Sequence, residues 1–261
     1  MQHTLDQLRN IPVPDLRGAM QSGPNPRAYP IDRTSPFYTD GWVEARAAGL
    51  SGINFYHTRP NPPYNMQISG AIEQLFIRKE VAKRLLAVNQ RLAPAGLELW
   101  LYDAWRPIAV QNYFHDEWMP RWLQSLDPGL RGDALWVEVE KYWSRGAPGG
   151  VVDPASPPPH NTGGAVDLTV RHIGGDQLWM GTIFDDLSDR ANTTHYEQRN
   201  LGRSFSDIEA RANRRLLYHV MTEQGFTNIW TEWWHYSWGD QRWAVNTGAP
   251  AAHYGPMNPC E

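Results

Sequence analysis

The sequence predicts an α+β fold with a long irregular N-terminal arm. Three observations predict it. Segments with helical apolar spacing are interleaved along the chain with segments of strand-like alternation. Too few strands read as continuous apolar runs to build a doubly wound parallel sheet. The first 63 residues are rich in Pro, Gly, Asn and Arg and show little sustained periodicity. We expect residues 1–63 to pack as an arm on a main domain at 64–261 that ends in an irregular tail. A chain of 261 residues is long enough to bury a large core.

The elements follow in order. From Ser69 to Leu92, the residues Ile72, Leu75, Phe76, Ala82, Leu85 and Leu86 fall at helical spacing, with Lys79, Glu80 and Lys83 on the other side. The run Ala93-Pro94-Ala95-Gly96 ends that helix. Leu97, Leu99 and Leu101 then alternate with Glu98, Trp100 and Tyr102, which is strand behaviour. Pro107 is placed to open a helix through residues 108–123. Residues 144–160 are a loop by composition and lead to His160. Residues 207–226 form an amphipathic helix closed by Gly225. The aromatic, β-prone stretch at 227–238 reads as a last strand, and the tail from Asp240 shows no clear element.

Composition narrows the functional classes. With a net charge of −4, there is no electrostatic case for nucleic acid or an anionic membrane. A small neutral or zwitterionic partner fits better, and the 13 Trp and 11 Tyr are residues that line ligand clefts as well as cores. Cys260 is the only cysteine, so the chain forms no intramolecular disulfide and no thiolate metal site. The N-terminal residues show no basic stretch followed by an apolar run, and no segment reaches transmembrane length, so the expected compartment is the cytoplasm, or the periplasm if a leader has been removed.

Two short motifs carry chemistry. In HNTGGAVDLTV, from His160 to Val170, the glycines let the chain turn back after His160, so that Asp167 can approach it at the start of an apolar strand. In EWWH, Glu232 stands three residues before His235, and a bulge or turn must bring both side chains to one site. His160, Asp167 and His235 make a three-ligand set for one catalytic zinc per chain, with the fourth position open to water. Glu232 would take a proton from that water and pass it to a leaving amine. Arg106, at the end of a strand, is the candidate cation beside a developing oxyanion. His3, His57, His115, His172, His195, His219 and His253 have no such partners in spacing.

These residues resemble a known family, the zinc D,D-peptidases, which comprise D-alanyl-D-alanine carboxypeptidases and VanX-type dipeptidases. HNTGGAVD is similar to the family's Ser-x-His-x-x-Gly-x-Ala-x-Asp, and EWWH to its Glu-x-Trp-His. YDAWRP, WMGTIFDDL and NRRLLYHVMTEQGF are similar to segments of the dipeptidase branch, so the likeness runs in order from about residue 69 to 238. The resemblance implies zinc on His160, Asp167 and His235, Glu232 as base, Arg106 as oxyanion stabiliser, and Asp185 as the partner of the substrate's free ammonium. It implies a small antiparallel sheet flanked by helices, in agreement with the α+β fold already read, and a small D,D-dipeptide as substrate.

Two departures stand out. Where the family has a serine thought to hold the substrate's terminal carboxylate, this chain has Pro158, which can donate no hydrogen bond. We expect that pocket to be built from Asn161, Thr162 or a backbone amide. Trp105 replaces the usual tyrosine and is expected to reshape the cleft. Three other readings stay open at this level: a D,D-carboxypeptidase acting on longer peptidoglycan stems, a non-haem iron oxygenase and a non-catalytic zinc-binding module. An oxygenase usually places its acid two residues after the first histidine, whereas the interval here is seven. A structural zinc needs neither a free Glu232 nor Arg106.

Overall fold

The computed structural model describes residues 3–18, 23–198 and 204–260. Its first half contains α1 (Leu5–Leu8), β1 (Trp42–Glu44), β2 (Ser51–Gly52), β3 (Phe76–Arg78), α2 (Lys79–Leu92), β4 (Leu97–Asp103), α3 (Ile108–Tyr113), α4 (Met119–Leu126) and α5 (Gly132–Val139). The second half adds β5 (Ala165–His172), α6 (Phe205–Glu223), β6 (Thr227–Ile229), β7 (Glu232–Ser237) and α7 (Gln241–Thr247). The α+β expectation is borne out. A five-stranded sheet in the order β2-β4-β5-β7-β6 is antiparallel except at its edge, where the two-residue β2 runs parallel to β4. β1 and β3 form a separate antiparallel pair.

The sheet and helices follow from the apolar pattern. Leu97, Leu99 and Leu101 of β4 and Val166, Leu168 and Val170 of β5 are buried at alternate positions, which puts them on one face of the pleat. Helix α2 buries Val81, Ala82, Leu85, Val88 and Leu92, and α6 buries Ala210, Leu216, Leu217, Val220 and Met221. Both helices pack against the sheet and against each other. At ~25 cal/mol per Å² of apolar area, burying each such Leu or Val side chain is worth about 1.5–3 kcal/mol, which outweighs the propensity differences along these helices.

Several elements differ from the sequence expectation. The helix expected from Ser69 starts at Lys79, because residues 76–78 pair with β1 and Leu75 O accepts the Ala45 amide at 2.8 Å. Tertiary pairing thus overrides the helical spacing of Ile72, Leu75 and Phe76. The helix expected over 108–123 carries a π turn at Phe114–Trp118. Pro120 lacks the N–H that would have bonded the carbonyl of Asp116, and the ladder loosens just before it. The last strand is a hairpin, β6 and β7, with a register shift between Asn228 and Ile229. The tail beyond Asp240 forms α7, capped by the Asp240 carboxylate on the Trp243 amide at 2.7 Å and closed by Gly248 at φ 70°.

The first 63 residues are short on regular structure, yet they supply an edge strand of the main sheet and the buried Tyr56. Gly52 makes that edge possible, since a Cβ there would stand 2.6 Å from Leu101 O. Among the described residues, no helix is long and apolar enough to cross a membrane.

Candidate active site and metal centre

The site is a row across the middle of the sheet. In register, Asp103 of β4 faces Asp167 of β5, and Asp167 faces His235 of β7. A shift between Leu101 and Asp103 aligns the first pair. His160 arrives from the loop side on a single 3-10 turn, Pro159–Thr162, which ends at Gly163 with φ 71°. A Cβ on Gly163 would meet Met257 Cε at 2.7 Å, and one on Gly164 would meet Trp238 O at 2.7 Å, so both glycines are required by the turn and its packing. Arg78 holds the turn from behind: its amide bonds Gly163 O at 3.1 Å and its Nε bonds Thr162 O at 2.9 Å.

His160, Asp167 and His235 are all buried, and their ligand atoms lie within 4.8 Å of one another. His160 Nε2 is 3.1 Å from His235 Nδ1 and 3.4 Å from Asp167 Oδ2, while Asp167 Oδ1 is 3.0 Å from His235 Nδ1. The outward ring nitrogens set the tautomers. His160 Nδ1 donates to Ala104 O at 2.9 Å, leaving Nε2 with a lone pair. Ser237 donates its proton to Asp240 Oδ2 at 2.7 Å and faces His235 Nε2 at 3.4 Å, so the ring nitrogen is the donor and Nδ1 is left with a lone pair. Two imidazole lone pairs and a carboxylate therefore converge on one buried point, a donor set whose mutual repulsion a divalent cation relieves. Although Asp167 is fully buried, the contacts that His160 and His235 make with its two oxygens hold its carboxyl well below the usual range.

Glu232 reaches the same place through the hairpin. Asn228 Nδ2 donates to both Glu232 O and His235 O at 2.9 Å, pinning the bulge that lets residues three apart share a site. Glu232 Oε2 lies 3.9 Å from His235 Nδ1, close to the three ligands but not hydrogen-bonded to them. Its side chain remains 30% exposed to the cleft. Burial of the rest, reinforced by Asp167 and Asp185, raises its pKa to about 7 against the pull of His235 and Arg106. A carboxyl so placed exchanges protons near neutral pH.

Arg106 is held on every side. Nε bonds Asp103 Oδ2 at 2.8 Å, Nη1 bonds Gln111 Oε1 at 2.9 Å, and Nη2 reaches Asp167 Oδ2 at 3.2 Å and Tyr56 OH at 3.3 Å. The guanidinium also lies over the rings of Tyr56 and Trp143, 5.0 and 4.9 Å from their centres. Burial opposes its charge, but Tyr56, Asp103, Asp167 and Asp185 outweigh it, so Arg106 is a fixed cation.

Asp185 adopts φ 57°, unusual for a residue with a side chain. Its Oδ2 accepts the hydroxyls of Tyr56 and Tyr64, each at 2.9 Å. Burial, then the charge of Asp167, raises its pKa to about 7 despite Arg106 and the two tyrosines. The sequence reading missed Tyr56, Tyr64, Asp103 and Gln111. The first two lie in or beside the irregular arm, where no pattern marks them.

A cleft of about 770 Å³ opens over these groups and is bordered by Tyr56, Arg106, His160, Asp167, Asp185, Glu232 and His235. Three side chains expected to shape it lie elsewhere. Asn161 is committed to Arg106 O at 3.4 Å, Thr162 Oγ1 donates to Pro159 O at 2.6 Å, and neither borders the cleft. Trp105 does not shape the cleft either; its indole N–H bonds Met257 O at 2.7 Å on the buried side.

Comparison with known proteins points to one family. The profile of the peptidase M15 family, described as D-Ala-D-Ala dipeptidase, matches residues 56–252. The D-alanyl-D-alanine dipeptidase of Synechocystis sp. is 35% identical over 212 residues, covering 75% of this chain and 83% of the relative. That of Enterococcus faecalis is 29% identical over 171 residues, covering 65% and 76%. The Escherichia coli enzyme of the same name is 32% identical over 142 residues, covering 54% and 55%.

Proposed function

Because the chain belongs to the M15 peptidase family of D-Ala-D-Ala dipeptidases, we propose that it hydrolyses D-Ala-D-Ala or a closely related D,D-dipeptide with one zinc ion per chain. The observation that carries this reading is the convergence of His160, Asp167 and His235 beside an unligated Glu232. Zinc held by those three residues supplies the Lewis acidity that lowers the pKa of a water and polarises the scissile carbonyl.

The chain's own groups do the rest. Glu232, as carboxylate, accepts the proton of the attacking water and returns it to the leaving amine nitrogen. Arg106 places a permanent positive charge where the carbonyl oxygen becomes negative, and its four partners keep it from following the substrate. Asp185 pairs with the substrate's ammonium, with Tyr56 and Tyr64 stabilising its ionised form. A carboxylate at that subsite favours a free N-terminus over the acylated one of a longer peptidoglycan stem, which supports a dipeptidase over a carboxypeptidase.

The test is hydrolysis of D,D-, L,D- and L,L-dipeptides by the zinc-loaded protein, alongside Glu232→Gln. The substitution should keep zinc and lose on the order of 10²–10⁴ in kcat. Near-normal turnover in Glu232→Gln would sink the mechanism, and preference for L,L-dipeptides would sink the substrate class.

A further inference from the structure

The substrate's free carboxylate still needs a side-chain partner, since Pro158 has no donor and Asn161 and Thr162 lie off the cleft. Among the described residues, four cationic side chains border the cleft: Arg27, Lys141, Arg242 and Arg106. Arg106 is already surrounded by Asp103, Asp167, Gln111 and Tyr56. Lys141 is paired with Glu138. The other two are different. Arg242 has no hydrogen bond or ion pair to any described residue, and Arg27 bonds only through Nη2, to Ser144 Oγ at 3.4 Å and to Arg145 O.

The two arginines are braced at one rim. The turn Pro26–Ala28 packs against α7, and Gln241, next to Arg242, donates to Tyr29 O and to Ala155 O, the latter at 2.9 Å. Tyr29 OH bonds Ala249 O at 2.8 Å, just past the end of the helix. Burial lowers the pKa of Arg27, Glu140 at the same cleft opposes that, and the nearby Arg242 adds a smaller push downward. Two like charges held together beside a cleft are relieved by an anion. Arg27 also connects to the reaction centre, through Ser144, whose carbonyl accepts Gln111 Nε2 at 2.7 Å, and through Gln111 to Arg106.

We propose that Arg242 and Arg27 form the subsite for the free carboxylate of the dipeptide, replacing the hydroxyl that Pro158 removes. The inference rests on the dipeptidase reading above. It makes the C-terminal grip one of charge at a partly open rim, weaker than the buried grip of Asp185 on the amine.

The experiment measures kcat and KM for D-Ala-D-Ala and D-Ala-D-alaninamide with the zinc-loaded wild type, Arg242→Gln, Arg27→Gln and the double variant, with Lys141→Gln as control. Amidation should raise the wild-type KM roughly five- to tenfold with little change in kcat, as expected for a half-exposed charge-assisted contact. Arg242→Gln and the double variant should raise KM for the acid by a similar factor and bring acid and amide within about twofold of each other; Lys141→Gln should keep the wild-type difference. An acid-to-amide ratio in Arg242→Gln and the double variant equal to that of the wild type would overturn the proposal, whatever their absolute rates. Failure of the dipeptidase reading looks different, as the wild type would then cleave neither compound.

Discussion

Replacing Asp185 with Asn tests how this site recognises its substrate. The side chain is 7% exposed and its Oδ2 accepts two tyrosine hydroxyls at 2.9 Å, so Asn keeps the shape and an acceptor while removing the charge. Losing one partner of a buried ion pair costs about 3–5 kcal/mol, or roughly a few hundred- to a few thousand-fold in kcat/KM. N-acetylating D-Ala-D-Ala removes the other partner and should cost the wild type a similar factor. The two losses should not add: in Asp185→Asn, acetylation should cost less than about tenfold, because the pair is already broken. Folding does not confuse the result. A carboxyl whose pKa is raised from 3.8 to about 7 on folding stabilises the metal-free fold below pH 3.8 and loses that contribution as pH rises through 7. At pH 8 the neutral amide should therefore hold or raise Tm. The assay is kcat/KM for the free and acetylated dipeptides with both proteins. Equal acetylation penalties in the two would refute the pairing, and so would efficient cleavage of the acetylated dipeptide by the wild type.

Three further predictions concern the metal and the protons. His160→Ala and His235→Ala should each lose zinc and activity together, and elemental analysis showing one zinc per chain in either variant would remove that residue as a ligand. Ser237→Ala should free the outer nitrogen of His235 and weaken zinc affinity roughly 10–100-fold in chelator competition; unchanged affinity would mean that the contact with Asp240 sets nothing. Asp185 and Glu232 both have pKa values raised to about 7, and the proposed mechanism uses both as carboxylates, so kcat/KM should fall below pH 7 with a logarithmic slope approaching 2. Asp185→Asn should reduce that slope to 1, and a pH-independent rate between 5 and 8 would contradict both assignments.

The sequence by itself determined the parts of this protein whose causes are local. Alternating leucines made β4, apolar spacing and Gly225 made α6, and the glycine pair after His160 permitted the turn that returns Asp167 to it. The candidate site residues were legible because His160 and Asp167, and likewise Glu232 and His235, come in pairs close along the chain. Tertiary structure decided whatever depends on a partner distant in sequence. Residues 76–78 are a strand because β1 lies beside them, although their own spacing is helical. Glu232 shares a site with His235 because Asn228, on the neighbouring strand, bonds both carbonyls across the bulge. Tyr56 and Tyr64 meet Asp185 across 129 and 121 residues, so no local pattern could announce them. Asn161 and Trp105 turn away from the cleft for the same reason: each has a buried backbone carbonyl to satisfy, Arg106 O and Met257 O, and leaving such a group unpaired costs more than a polar side chain gains by facing water.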